Sequence, residues 1–142
     1  MADIEFFVTP GYGEMFREQR HYSQAVRIGD RVEISGQGGW DDDLNFPESL
    51  EEEIAAAFEN VSRTLATAGA GWGDVVHVNS YHVASAPGVI DDVHTDAMVA
   101  QLRARMPDRT PIWTATGAAA LAARNMRVEI RVTAIVGDSP RE

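Results

Sequence analysis

Two short alternating segments separated by Gly29 and Asp30 constrain this chain more than any other stretch of it. The segments AVRI and RVEI each alternate apolar and polar residues, as half-buried strands do. Glycine followed by aspartate can adopt the positive φ angles of a two-residue hairpin turn. The stretch therefore predicts a β-hairpin over residues 25–34. The SGQGG segment that follows, residues 35–39, is either an ordinary loop or a place where something approaches the backbone closely.

A long amphipathic helix is predicted next, from Ser49 to about Ala68. Ser49 and Glu52 have the spacing of a capping box, and acidic residues at 51–53 suit the positive end of a helix dipole. Gly69 and Gly71 provide a stop signal. Apolar residues recur at helical spacing and predict one buried face: Ile54, Ala57, Phe58, Val61 and Leu65.

The rest of the chain predicts one more helix and three strands. Residues 75–83 read VVHVNSYHV, a strand with Val76, Val78, Ser80 and His82 on one face. Residues 88–106 predict a helix that turns Ile90, Val93, Ala97 and Ala100 or Gln101 to one side. The segments TPIWTATGAAAL and MRVEIRVTAIV predict two strands joined by AARN. The order β-β-α-β-α-β-β, with hairpins as the terminal pairs, predicts a single α+β domain over residues 1–142, with both helices on one face of a mixed sheet.

Such a sheet has a second face that the chain cannot cover. The predicted strands carry β-branched residues on both faces, and no element is left over to shield them. We therefore expect self-association, which would bring residues of neighbouring chains together.

Composition excludes several classes of function. The net charge of −10 disfavours a nucleic-acid partner. The chain has no cysteine and no lysine, which removes disulfides, thiol nucleophiles and Schiff-base lysines. No apolar run approaches the roughly 18 residues of a membrane span, and the N-terminus is acidic where a signal peptide is basic. Four scattered histidines and an acidic run without calcium-loop spacing predict no metal and no cofactor. We expect a cytoplasmic protein without membrane or nucleic-acid partners.

Several segments, in order, resemble the RidA/YjgF family. YSQAVRIGDRVEISGQ is similar to the N-terminal signature of that family, GDVVHVNSYHV to its middle strand, and RTPIWTATGAAALAARNMRVEI to its C-terminal signature. The resemblance covers roughly residues 22–136. It implies the fold of the trimeric type of chorismate mutase, and a homotrimer with clefts between subunits. It also implies a small-molecule ligand, because the best-known members hydrolyse imines and enamines such as 2-aminoacrylate to keto acids and ammonia.

The resemblance also implies which residues line the cleft. Tyr22 and the backbone at Ser35 and Gly36 fall at binding positions. Glu129, in the VEI segment, matches the glutamate that is thought to position the attacking water. His94 aligns best with a family asparagine on the helix.

Two departures separate this chain from the deaminases. The family arginine that grips the substrate carboxylate is Trp113 here, and a family cysteine two residues later is Ala115. An indole has one N–H donor and no charge, so it cannot replace a guanidinium fork. Trp113 would instead give the cleft a flat apolar wall.

Glu129 leaves two interpretations open. It lies within an otherwise apolar strand, where a carboxylate acting on a water or a proton would be retained for function. Alternatively it forms a structural ion pair with Arg131, two residues on and hence on the same face. Two function classes follow. The first is a Rid-type enzyme, an imine or enamine deaminase-like hydrolase acting on a compound without the usual α-carboxylate. The second is a non-catalytic ligand-binding or protein-stabilising trimer.

Overall fold

The computed structural model describes residues 3–137, which form one mixed sheet covered by helices. The strands are β1 (Ile4–Phe7), β2 (Ala25–Ile28), β3 (Arg31–Ile34), β4 (Val75–His82), β5 (Ile112–Gly117) and β6 (Val128–Ile135). The helices are α1 (Tyr12–Arg20), α2 (Leu50–Thr67) and α3 (Asp92–Arg105), with a short 3-10 turn at Trp72–Asp74. This is the predicted α+β class.

The sheet has the strand order β1-β2-β3-β6-β4-β5. Strands β1, β2, β3, β6 and β4 pair antiparallel in that sequence, and β5 lies parallel to β4 at one edge. The predicted hairpin over residues 25–34 is confirmed, with a positive φ of 62° at Gly29. The predicted terminal hairpin of β5 and β6 is wrong. Helix α3 carries the chain from β4 back to a parallel β5, and β6 then inserts between β3 and β4.

The N-terminal strand and helix were not expected from the sequence. Strand β1 is a run of only four residues that pairs with β2, so it shows almost no periodicity. Helix α1 contains a glycine and four charged residues among its nine, and it is held by tertiary contacts. The Tyr12 hydroxyl donates to Gln37 Oε1 at 2.6 Å, and the Arg63 guanidinium lies 5.2 Å from the centre of the Tyr12 ring.

Helices α2 and α3 cover the same face of the sheet, as predicted. Ser49 caps α2, since its Oγ accepts the Glu52 N–H at 3.1 Å. All five predicted core residues of α2 are completely buried. The predicted inner face of α3 is confirmed for Ala97, which packs against the core, and wrong for Val93, which is 44% exposed; the fully buried residues of α3 are His94 and Met98. Polar His94 can face inward because it has a buried partner, described below.

A β-bulge corrects the predicted faces of β4. Val75 pairs with Ala134 and His77 pairs with Thr133, so Val76 is an extra residue that turns towards solvent. Beyond the bulge the prediction is confirmed: Val78, Ser80 and His82 are buried beneath the helices.

No helix formed by residues 3–137 covers the opposite face of the sheet, which we call the open face. Strand register assigns to it Phe6, Val26, Glu33 and Thr133 in one cross-strand row, and Tyr81 and Glu129 in another. Its outer strands expose large apolar side chains, with Phe6 at 66% and Ile112 at 65%. Among the described residues, no helix is long and apolar enough to cross a membrane.

Candidate functional site

Four of the six predicted site residues lie together near the centre of the open face. Glu129 projects from β6, and Gly36 lies beside it just after β3. A Cβ atom at Gly36 would overlap Glu129 Oε2. Gly36 is therefore required for the space it leaves. The glycine-rich stretch after the hairpin thus lets the Glu129 side chain approach the backbone at Gly36 closely, in agreement with one of the two interpretations of that stretch.

Glu129 has the environment of a reactive carboxyl group. Its side chain is half-buried and makes no hydrogen bond or ion pair with any residue between 3 and 137. Burial raises its pKa. The alternative ion pair with Arg131 is not formed, because Arg131 Nη2 lies 3.5 Å from Glu33 Oε1 instead. The carboxylate of Glu33 also contacts Arg31 and the Thr133 hydroxyl. Arg131, the expected partner of Glu129, is therefore part of a cluster around Glu33 instead.

Tyr22 and Ser35 line a groove next to this carboxyl group. The groove has a volume of about 600 Å³, and Phe6 and Val26 form its apolar side. The Tyr22 ring stacks on Phe16 at 5.8 Å between centroids. Burial raises the pKa of the Tyr22 hydroxyl, and the negative charge of Glu129 contributes to that rise. The Tyr22 hydroxyl and the Glu129 carboxylate are therefore close enough to interact electrostatically.

The other two predicted residues, Trp113 and His94, lie on the helix-covered face. Trp113 pairs with Val78 in register, and its side chain packs against the main core. The indole N–H donates to Ser80 Oγ at 2.8 Å, so this donor is already used within the chain. His94 lies in the first turn of α3 and is 1% exposed.

Beneath Trp113 lies a row of buried polar side chains that was not predicted from the sequence. Ser80 Oγ lies 2.7 Å from His82 Nε2, and His82 Nδ1 lies 2.8 Å from His94 Nδ1. The histidines are twelve residues apart and on different elements, so their meeting depends on how α3 is rotated. The signal available in sequence was two polar residues, Ser80 and His82, at alternate positions on the predicted inward face of a strand.

Burial keeps these imidazoles neutral. It lowers the pKa of His82 to about 4, with a further lowering by the neighbouring His94. Burial also lowers the pKa of His94, against the opposing influence of the Val83 backbone and Asp91. Two neutral imidazoles can share one proton between their Nδ1 atoms, which two imidazolium ions cannot do.

The sheet separates the two groups of predicted residues within one chain. The open-face group contains Glu129 and Gly36, and the helix-face group contains Trp113 and His94. The side chains of Glu129 and Trp113 leave their strands on opposite faces of the sheet, so one small ligand cannot touch both groups of the same chain. Among the described residues there is also no cluster of three or more His, Asp or Glu side chains arranged to hold a metal ion.

Comparison with known proteins places this arrangement in a family. Residues 14–136 match the protein-family model described as Endoribonuclease L-PSP. The RutC family protein YjgH of Escherichia coli strain K12 is 29% identical over 120 residues, which is 84% of this chain and 87% of that protein.

Solved structures agree with this match. The structure of protein YJGH is 27% identical, with a TM-score of 0.78 over 94% of this chain and 97% of that one. RidA from the Antarctic bacterium Psychrobacter sp. is 29% identical, with a TM-score of 0.68 over 81% and 88% of the two chains. The sequence match and the shared mixed sheet lead to one conclusion: the chain belongs to the RidA/YjgF family.

Proposed function

We propose that this protein is a small-molecule enzyme that hydrolyses or tautomerises an imine, an enamine or a related carbonyl compound. The observation that carries the proposal is Glu129, a half-buried carboxyl group with a raised pKa, no partner among the described residues and a neighbouring glycine that leaves room for it. A carboxyl group in such a setting can take a proton from a water molecule and return it to a leaving amine. Membership in the RidA/YjgF family supports this class of reaction.

The substrate we propose lacks the α-carboxylate of 2-aminoacrylate. Trp113 occupies the position of the carboxylate-binding arginine, and its only donor is bonded to Ser80. Loss of a charged hydrogen bond costs about 1.5–3 kcal/mol. That corresponds to roughly a tenfold to more than a hundredfold loss in transition-state binding of a carboxylate substrate. A flat apolar wall favours an uncharged substrate instead.

We propose further that the working site forms between subunits of a homotrimer. The Glu129 group and the Trp113 group lie on opposite faces of one sheet, so a neighbouring chain must supply one of them. The exposed apolar side chains of the open face, Phe6 and Ile112 among them, provide surface for such a contact. Sedimentation equilibrium at micromolar protein should give about three times the chain mass of 15.5 kDa. A monomer at that concentration would contradict the shared cleft.

The direct test is release of ammonia from freshly generated imines, with and without an α-carboxylate. We expect turnover of uncharged imines and poor turnover of 2-aminoacrylate. Glu129→Gln should lower turnover by about 10²–10⁴ because it removes the basic oxygen but keeps the shape. Glu51→Gln, on an exposed surface of α2, is the matched control. Unchanged turnover in Glu129→Gln would refute the catalytic role. If no imine is turned over but binding is retained, the non-catalytic trimer is the better description.

The nuclease activity in the description of the family model does not fit this chain well. RNA binding depends on cationic side chains that meet phosphates. Here the net charge is −10 and no lysine is present. We therefore do not extend that activity to this protein.

A further inference from the structure

The buried row of Ser80, His82 and His94 has the atomic arrangement of a nucleophilic triad. In such a triad a hydroxyl contacts Nε2 of an imidazole, and a third group contacts Nδ1 of the same ring. Here Ser80 Oγ lies 2.7 Å from His82 Nε2, and His94 Nδ1 lies 2.8 Å from His82 Nδ1. Both distances fall within the reach that marks an activated nucleophile and an oriented base.

One assignment of protons along this row matches every donor to an acceptor. The Trp113 indole can only donate, so Ser80 Oγ accepts there, at 2.8 Å. The hydroxyl proton of Ser80 is then available to His82 Nε2. His82 in turn carries its proton on Nδ1 and donates it to His94. We adopt this assignment because it leaves His82 in the tautomer that a general base requires, and the ¹⁵N experiment below tests it.

We propose that Ser80 is a nucleophile, that His82 is its general base, and that His94 positions His82, so that this protein can accept an acyl or sulfonyl group from a small uncharged carbonyl or sulfonyl compound. This activity goes beyond the proposed deaminase function and does not depend on Glu129.

The chemical step balances without a cofactor. With an ester, a bond forms from Ser80 Oγ to the carbonyl carbon, the carbonyl π pair moves to oxygen, and the hydroxyl proton passes to His82 Nε2. When the carbonyl re-forms, the bond to the leaving alcohol breaks and that alcohol takes the proton. Water then repeats these steps and releases the carboxylic acid.

Access to Ser80 is controlled by Trp113. Ser80 is completely buried, whereas Trp113 is half-buried and borders a groove of about 400 Å³. Leu102 and Met106 line the same groove. Displacement of the indole into this groove would uncover the serine hydroxyl. Trp113 thus limits the size of the compound that can enter and the rate at which it does so.

The surroundings predict a slow reaction. Burial lowers the pKa of His82 to about 4, which keeps the base unprotonated at neutral pH but makes it weak. The third group is a neutral imidazole in place of a carboxylate. Charges that act on His94 come from Asp91 beside α3, from Arg127 before β6 and from Glu53 on α2.

The first experiment is reaction with phenylmethanesulfonyl fluoride. Ser80 Oγ should form a bond to sulfur as fluoride leaves, and peptide mass mapping should locate one sulfonyl group per chain at Ser80. Trp113→Ala should be labelled faster, Ser80→Ala not at all, and His82→Gln at least about a hundredfold more slowly. Ser62→Ala, on α2, is the control and should be labelled like the wild type. Absence of label at Ser80 in both the wild type and Trp113→Ala would overturn the inference.

A second variant keeps the inference testable if Ser80→Ala does not fold. The chain has no cysteine, so Ser80→Cys introduces its only thiol. Iodoacetamide should alkylate this thiol faster with His82 present than in the double variant with His82→Gln. Equal rates would show that His82 does not activate position 80.

The positioning role of His94 has a spectroscopic readout. The ¹⁵N spectrum of the histidine rings should show His82 as the Nδ1–H tautomer in the wild type. His94→Ala should convert that signal to a mixture of tautomers. An Nε2–H tautomer in the wild type would contradict the assigned direction of proton transfer.

Discussion

The buried histidine pair should make this protein lose stability in acid. The pKa of His82 falls from its ordinary value of 6.5 to about 4 in the folded chain. Between these values the unfolded chain binds more protons than the folded chain. The stability is therefore fully present above pH 6.5 and is lost as pH falls through about 4. At about 1.36 kcal/mol per pH unit, this difference corresponds to a loss of about 3 kcal/mol from one histidine.

Urea unfolding at pH 7 and pH 4, at one protein concentration, measures this loss. His82→Gln retains hydrogen-bonding groups but does not titrate. We expect the variant to lose about 3 kcal/mol less than the wild type between the two pH values. Asp91, Arg127 and Glu53, the charged neighbours of His94, are the same in both proteins, so their contribution cancels in the comparison.

His77→Gln is the matched control for this measurement. His77 lies on the same strand but on the open face, where it contacts Asn79. It should keep the pH dependence of the wild type. If the wild type and His82→Gln lose the same free energy between pH 7 and pH 4, burial of His82 is not what makes the protein sensitive to acid.

Three further changes test other parts of the structure. Gly36→Ala should push the Glu129 carboxylate aside and reduce turnover, while changing the free energy of unfolding by no more than about 1 kcal/mol. Gly73→Ala, where an added Cβ meets nothing, should change neither turnover nor the free energy of unfolding. Glu53→Gln should cost about 1.5–3 kcal/mol in urea unfolding, because the buried carboxylate accepts from both the backbone N–H and the guanidinium of Arg127 at 2.7 Å, whereas Arg127 itself stays partly exposed. A loss below about 1 kcal/mol would show that the pair is replaceable. Glu129→Gln should be more stable than the wild type at pH 8 and equally stable near pH 4. Burial raises the pKa of Glu129, so the folded wild type loses stability as pH rises through that pKa and the carboxyl group ionises, whereas glutamine stays neutral. Equal stability of the two proteins at both pH values would count against burial as the cause.

Local patterns predicted the elements that depend on local physics. The hairpin at Gly29 follows from alternation and a turn residue, and α2 follows from helical spacing after a capping serine. Helix α1 could not be predicted in this way, because its own Tyr12 is held by Gln37 and Arg63, which come from distant parts of the chain. The extra residue at Val76 likewise depends on how β4 pairs with β6.

The candidate site was predictable only in part. Resemblance to the family identified Glu129 and Gly36, and the structure brings these two together. It did not indicate that Trp113 and His94 would lie on the opposite face. The histidine pair was missed because α3 has few apolar residues to set its orientation. Met98 and His94 face inward there, and a buried imidazole is tolerated only because another imidazole meets it.

The separation of the two groups by the sheet has a consequence for genetics. If a working site takes Glu129 from one chain and Trp113 from its neighbour, two variants that each damage one half of the site can complement each other. Co-expressed Glu129→Gln and Trp113→Ala chains would assemble into mixed trimers, in which roughly a quarter of the sites combine the two intact halves. For the same reason a single damaged allele would impair sites that the intact chain helps to form. The activity of a cell that carries two alleles would then depend on which chains assemble together and not on each chain alone.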